Sequence, residues 1–228
     1  MSKLKYQRLL ILYVIFIVGM GLFVDRCNCL PRQESKTDKE KALEEITKWK
    51  AYKNEEYGFE IKYPENLIRV SEEGKKIVMI HSIPFEHPNF CDGTGEAPPL
   101  KEVTDFRVSF KIFRTNLTEA VIATQGDYVT SNFLEEDRLK IVPHFIDEFE
   151  IGSLKGYRIT SGAEGCGWRQ HYFPLNSNNT LLVTRYFFPE LTPAITDHQE
   201  YLKLPGVIPP DREEELFNQI LSTFRFLK

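Results

Sequence analysis

Two cysteines in turn-rich segments are the residues of this chain whose types could most readily do chemistry. Cys91 lies in the segment 85–95 and Cys166 in the segment 164–168, and both segments contain glycines and other residues that favour loops. The chain from residue 30 onward contains no other cysteine. If this part of the chain is exported to an oxidising compartment, a disulfide between Cys91 and Cys166 is the leading interpretation.

The same cysteines are open to other interpretations. They could remain two free thiols, or they could join His87 and His171 as the four ligands of a zinc ion. The His87-x3-Cys91 and Cys166-x4-His171 spacings match no standard zinc signature. The leading prediction is therefore a disulfide, with neither a metal nor another cofactor.

A nucleophilic cysteine is the catalytic version of this pattern. Cys166 lies between two glycines, and His81, His144 or His171 could act as its general base in a hydrolase. No third group that would orient the base is fixed by the sequence. We therefore expect no catalytic residues and a protein that is not an enzyme, with a Cys166 hydrolase as the alternative.

These segments must be positioned by strands, because the sequence after residue 52 alternates repeatedly between apolar and polar residues. The turn-forming residues at 152–153 and 176–179 predict two hairpins within this series. We expect the aromatic residues of the last two strands, up to Phe187 and Phe188, to pack in the core of a sheet. The seven predicted strands are 57–63, 76–83, 106–112, 145–151, 154–160, 170–175 and 180–188.

Three segments between or after the strands predict helices. One follows a possible N-cap at Asn116 and runs over 117–124, and a weaker pattern covers 127–140. The last predicted helix begins with a capping box formed by Asp211 and Glu214, and the acidic run 213–215 is expected on its solvated face. Its apolar face is predicted to comprise Leu216, Phe217, Ile220 and Leu221.

The N-terminus carries a membrane signal. Lys3, Lys5 and Arg8 precede an uncharged apolar run from Leu9 to Val24, and all 33 acidic residues of the chain follow that run. This asymmetry predicts a cytoplasmic N-terminus and an extracytoplasmic remainder. A signal-anchor retained in the membrane is the leading interpretation, and a secreted form after signal cleavage is the alternative. Nothing in the sequence selects a role for the two following cysteines, Cys27 and Cys29.

Composition and charge exclude several other classes of protein. The 228 residues have a formal net charge of −4 and are 42% hydrophobic, which is typical of a globular domain and gives no footprint for nucleic acid. The predicted organisation is a signal-anchor over residues 1–29, a charged stalk or linker helix over 30–51, and one globular domain over 52–228.

Both ends of the predicted domain resemble a known family. The segment 52–64 contains Tyr57-Gly58-Phe59, an alternating strand and Tyr63-Pro64, and the segment 220–226 joins a helix to a short strand. These segments are similar to the opening and the closing of PsbP-like domains in bacterial exported proteins. The resemblance implies an α+β fold, an α/β/α sandwich with a central antiparallel sheet. It also implies a binding or assembly role without catalytic activity.

The sequence therefore predicts a membrane-tethered extracytoplasmic binding or assembly module. Its partner is expected to be a protein or another component of the cell envelope. A small-molecule or lipid carrier, with its ligand between sheet and helices, is a further alternative.

Overall fold

The computed structural model describes residues 48–129, 131–136, 138–163, 165–192 and 198–227. Strands dominate this part of the chain. In chain order they are β1 (Trp49–Asn54), β2 (Phe59–Pro64), β3 (Arg69–Glu73), β4 (Lys76–His87), β5 (Leu100–Phe113), β6 (Leu134–Glu135), β7 (Arg138–Leu139), β8 (Ile146–Ile151), β9 (Leu154–Ala163), β10 (Cys166–Asn176), β11 (Asn179–Tyr186) and β12 (Arg225–Phe226).

Seven of the strands form the main sheet, in the order β3-β4-β5-β11-β10-β9-β8, with every neighbouring pair antiparallel. All seven strands predicted from the sequence are present, six of them in this sheet and one as β2. Both predicted hairpins are confirmed, since turns at 152–153 and 177–178 join β8 to β9 and β10 to β11. A second sheet of three strands has the order β1-β2-β12. Its strand β1 spans the boundary that the sequence suggested at residue 52.

Three α-helices accompany the described strands: α1 (Leu117–Gln125), α2 (His198–Tyr201) and α3 (Pro210–Ser222). The Asn116 side chain caps α1 as expected, by accepting a hydrogen bond from the backbone N–H of Glu119. The capping box predicted for α3 is wrong. This helix begins one residue earlier, with Pro210 in its first turn and Pro209 at the cap, and proline has no side-chain acceptor.

The expected α/β/α sandwich of the α+β class is wrong, because the described chain is largely β. Residues predicted as a helix over 127–140 form short 3-10 turns and the β6–β7 hairpin instead. The run Val129-Thr130-Ser131-Asn132 has poor helix propensity, and Glu136 adopts a positive φ of 52° at the hairpin turn. The antiparallel sheet was predicted correctly, and the family resemblance itself stays a prediction.

The main sheet buries apolar side chains on both faces. One face is covered by β2 of the three-stranded sheet together with α3, whose predicted apolar residues are all buried. The other face is covered in part by α1 and the β6–β7 hairpin, which enclose a smaller core with Tyr172 and Leu182. Successive residues of β10 point to opposite faces, so Tyr172 lies in the smaller core and Phe173 in the larger one. Below, the first face is called the α3 face and the second the α1 face.

The predicted signal-anchor at 1–29 and most of the predicted stalk at 30–51 lie outside the described residues. Among the helices of the described residues, none has the length and apolar character needed to span a membrane.

Candidate functional site

The predicted disulfide is confirmed. Cys91 and Cys166 are bonded, and their Cα atoms lie 5.6 Å apart. The bond connects the loop between β4 and β5 to the first residue of β10. It therefore fixes two loops at one end of the main sheet.

The four residues of the alternative zinc site do not come together. His171 lies five residues after Cys166 in the same strand, which separates them by about 16 Å and places them on opposite faces. His87 is fully engaged: its Nδ1 lies 2.9 Å from the Pro88 carbonyl oxygen and its Nε2 lies 3.0 Å from that of Glu102. No cluster of metal-ligating side chains exists among the described residues.

The glycines around Cys166 are explained by packing rather than by catalysis. A Cβ atom on Gly167 would lie 2.2 Å from the Ser161 carbonyl oxygen, and Gly167 has a φ of 147°. A Cβ atom on Gly165 would lie 2.6 Å from Oγ1 of Thr192. The Cys166 sulfur belongs to the disulfide, so it is not available as the thiolate that the alternative hydrolase requires.

A cleft opens beside the disulfide, on the α3 face of the main sheet. Gly165 packs against Pro189 and Thr192, and the turn that holds these two residues forms one wall of the cleft. The cleft has a volume of about 400 Å³ and lies between the strands β10 and β11 and the first turn of α3. The side chains that give it its character are Arg169, Phe187, Phe188, Leu191, Leu202 and Glu214.

Arg169 is the cation of the cleft that lacks a partner. Its guanidinium lies over the Phe187 ring, 5.2 Å from the centroid, and makes no hydrogen bond or ion pair with the described residues. Burial lowers the pKa of Arg169 and the nearby guanidiniums of Arg185 and Arg158 lower it further, while the carboxylates of Glu214 and Glu213 act in the opposite direction. A half-buried cation in an apolar wall is a ready anchor for an anion.

Arg185, the neighbour of Arg169 across the strand pair, is already neutralised. Its guanidinium donates hydrogen bonds to both carboxylate oxygens of Glu213 in α3, with Nε 2.9 Å from Oε1 and 3.0 Å from Oε2. Burial raises the pKa of Glu213, and the contact with Arg185 partly offsets this effect. This buried pair joins the sheet to α3, so the expected solvated position of Glu213 is wrong.

His171 lies deeper under the same helix. Its ring packs 4.6 Å from that of Phe149 and 5.1 Å from that of Phe217, measured between centroids. Burial lowers the pKa of His171 to about 3, and the nearby Arg158, Arg185 and Arg169 act in the same direction. His171 is therefore neutral at physiological pH and serves as part of the core rather than as a base.

His81, the second candidate base, contacts a buried carboxylate. Its Nδ1 lies 2.6 Å from Oδ1 of Asp105, and the other oxygen of Asp105 accepts a hydrogen bond from the backbone N–H of Ile208. Asp105 orients the imidazole as the acid of a catalytic triad does. Among the described residues, however, no serine, threonine or cysteine side chain forms a hydrogen bond with His81. His144, the third candidate, is exposed in the turn before β8.

Sequence reasoning missed Arg169, Arg185 and Glu213. The signal was present in β10, where Arg169 occupies the same face of the strand as His171 and Phe173. A charged residue at an inward position of an otherwise apolar strand face indicates either a buried ion pair or a ligand anchor. Arg185, at the matching position of β11, forms a buried ion pair with Glu213, whereas Arg169 has no ion-pair partner among the described residues.

Comparison with known proteins adds no relative, since no protein-family model matches the chain and no curated protein matches it.

Proposed function

We propose that this chain is a membrane-tethered extracytoplasmic binding module without catalytic activity, and that its ligand site is the cleft on the α3 face. The ligand is a small carboxylic acid with an apolar body. The observation that carries the proposal is the unpaired Arg169 in the wall of an apolar cleft. This position between sheet and helix is also where the small-molecule carrier interpretation places a ligand.

The size and lining of the cleft support a small ligand. A volume of about 400 Å³ falls within the range of sites that bind small molecules. Phe188, Leu191 and Leu202 offer apolar surface to the body of the ligand, while Arg169 pairs with its carboxylate. Glu213 already forms hydrogen bonds with Arg185, and Glu214 lies 3.7 Å from it, so Arg169 is the cation of the cleft that forms no hydrogen bond or ion pair with a described residue.

The disulfide supports a binding role for this end of the sheet. Cys91–Cys166 fixes the turn that packs against Pro189 and Thr192, so the cleft wall is held before a ligand arrives. A preformed site avoids part of the entropy that binding would otherwise cost. Loops held on a rigid sheet commonly carry binding sites.

Calorimetric titration of the purified protein with octanoate tests the ligand class. We expect octanoate to bind, and Arg169→Gln to weaken the affinity by about tenfold or more, because a hydrogen bond to a charged group contributes about 1.5–3 kcal/mol. Arg138→Gln is the matched control, since Arg138 is exposed in the β6–β7 hairpin. Octanol tests whether binding requires the carboxylate, because it has the same apolar body as octanoate and carries no charge. Equal binding of octanol and octanoate would contradict the proposal.

The location of the module has its own test. Protease added to intact cells, or to spheroplasts where an outer membrane is present, should digest residues 48–228. The basic residues before the apolar run motivate this orientation. Full protection after the outer barrier is opened would show that the domain lies inside the cell.

A further inference from the structure

A second groove lies on the α1 face of the main sheet, opposite the cleft. Helix α1 covers only the end of this face near Tyr172 and Leu182, and the groove begins where α1 ends, at Thr124. It has a volume of about 260 Å³ and crosses the strands β5, β11 and β10. No part of the proposed function above uses it.

The groove carries a concentrated positive charge. Lys76 and Lys111 line the groove. Ile77 on β4 is the register partner of Phe110 on β5, and the strands are antiparallel, so the adjacent residues Lys76 and Lys111 lie opposite each other. Lys75 precedes them in the turn. None of these three lysines forms an ion pair among the described residues, although Glu73 is the register partner of Lys76 and the Lys111 ammonium lies 4.1 Å from the centroid of the Phe113 ring. The pKa of Lys111 is lowered by burial and by the charges of Lys76 and Lys75.

The floor of the groove is polar although it is buried. Ser109 and Thr184 are register partners across β5 and β11, and Gln170 is the next residue in the same row, on β10. The hydroxyls of Ser109 and Thr184 have no hydrogen-bond partner among the described side chains and backbone groups. Both residues line the groove, so their hydroxyls are available to a polar ligand there.

One end of the groove is aromatic. Trp168 and Tyr186 are register partners across β10 and β11, and Trp168 is 42% exposed although it is a large apolar residue. The Tyr186 ring also carries the guanidinium of Arg107, 5.0 Å from its centroid. Across the strands, the groove residues extend from Trp168 on β10 to Lys76 on β4, which is three strand spacings or about 14 Å and is long enough for a short oligosaccharide.

We propose that this groove binds an oligosaccharide that carries carboxylate groups, such as an oligouronate. The apolar C–H face of one sugar ring packs on Trp168, its hydroxyls bond to Ser109 and Thr184, and a carboxylate pairs with Lys76 and Lys111. An acidic peptide would satisfy the lysines as well, but it would leave the exposed indole and the paired hydroxyls unexplained.

Calorimetric titration with tetragalacturonate tests this proposal. The double variant K76Q/K111Q should weaken binding of tetragalacturonate by about tenfold or more, and the wild-type affinity should fall as the salt concentration rises. Trp168→Ala should weaken binding to a comparable extent without changing the salt dependence. The matched control K62Q/K101Q removes two exposed lysines outside the groove. Arg169→Gln should leave this binding unchanged, which separates the groove from the cleft.

Three results would overturn the proposal. The first is no binding of tetragalacturonate at millimolar concentration. The second is binding of neutral maltotetraose with the same affinity, because the lysines would then have no role. The third is binding of tetraglutamate at least as tightly as tetragalacturonate, because the groove would then recognise charge in a peptide. Thermal melts of the lysine variants that match the wild type ensure that a loss of binding is not a loss of folding.

Discussion

Removing the disulfide is the perturbation whose size follows most directly from the structure. Cys91 and Cys166 are 75 residues apart in sequence, so reduction opens a long loop in the unfolded chain. The chain-entropy relation gives about 4.5 kcal/mol of stabilisation at 25 °C for a loop of this length. This is a large share of the 5–15 kcal/mol that is typical of a domain, so the variant C91A/C166A should be markedly less stable.

Urea denaturation measures this effect. The midpoint of C91A/C166A should fall, and its m-value should rise, because the unfolded chain without the cross-link exposes more surface. The refolding rate should also fall, since the two loops must be brought together without the bond. C27A/C29A is the matched control, because it removes two cysteines outside the described domain.

A free-energy difference below about 1 kcal/mol would refute this reasoning, because the calculated effect is several times larger. An unchanged m-value together with an unchanged refolding rate would refute it as well. In that case the bond would act through contacts in the folded state.

Three further predictions concern the residues beneath α3 and beside the disulfide. Below pH 6.5 the unfolded chain binds a proton at His171, whereas the folded chain, in which the pKa of His171 is about 3, does not. The free energy of unfolding should therefore fall by up to about 1.4 kcal/mol per pH unit from pH 6.5 towards 3. His171→Leu should flatten this slope in urea titrations, and an equal slope in both proteins would contradict the assignment. Arg185→Met should destabilise the fold by about 3–5 kcal/mol, because it leaves Glu213 buried without its partner. The double variant R185M/E213L should recover most of this loss in thermal melts. A double variant as unstable as R185M would contradict the pairing. Gly167→Ala should lower the free energy of unfolding by more than about 2 kcal/mol, because the new Cβ atom would meet the Ser161 carbonyl oxygen and the φ of residue 167 is positive. An unchanged melting temperature would show that the strand pair can separate without cost.

Local alternation was enough to predict the seven strands β2, β4, β5, β8, β9, β10 and β11. In the predicted strand 106–112, Phe106, Val108, Phe110 and Ile112 alternate with polar residues, and all four are buried. Four strands were missed. The short strands β6 and β7 lie in the segment predicted as a helix, and the other two are mostly polar: β3 buries none of its five residues, and β1 lies in a segment whose charges resemble those of a linker. Half-exposed strands of this kind depend on pairing with neighbours rather than on their own pattern.

Long-range pairing could not be predicted from the sequence. β5 lies beside β11, and the register that sets Ser109 opposite Thr184 joins residues 75 positions apart. The cleft and the groove both depend on this register, because it determines which side chains of β5, β10 and β11 meet. The cysteine pair could be predicted, since the described domain contains no third cysteine to compete. The partner of Arg185 could not be predicted, because Glu213 lies in a run of three acidic residues, a pattern typical of a solvated helix face.

The most direct test of the account is to locate a bound carboxylate. Crystals of the protein grown with 8-bromooctanoate should show anomalous bromine density in the cleft between Phe188, Leu191 and Leu202, with the carboxylate against Arg169. The same crystals of Arg169→Gln should lose that density while the cleft keeps its shape. Bromine density elsewhere on the protein, or equal density in the Arg169→Gln crystals, would contradict the claim that Arg169 anchors an anionic ligand.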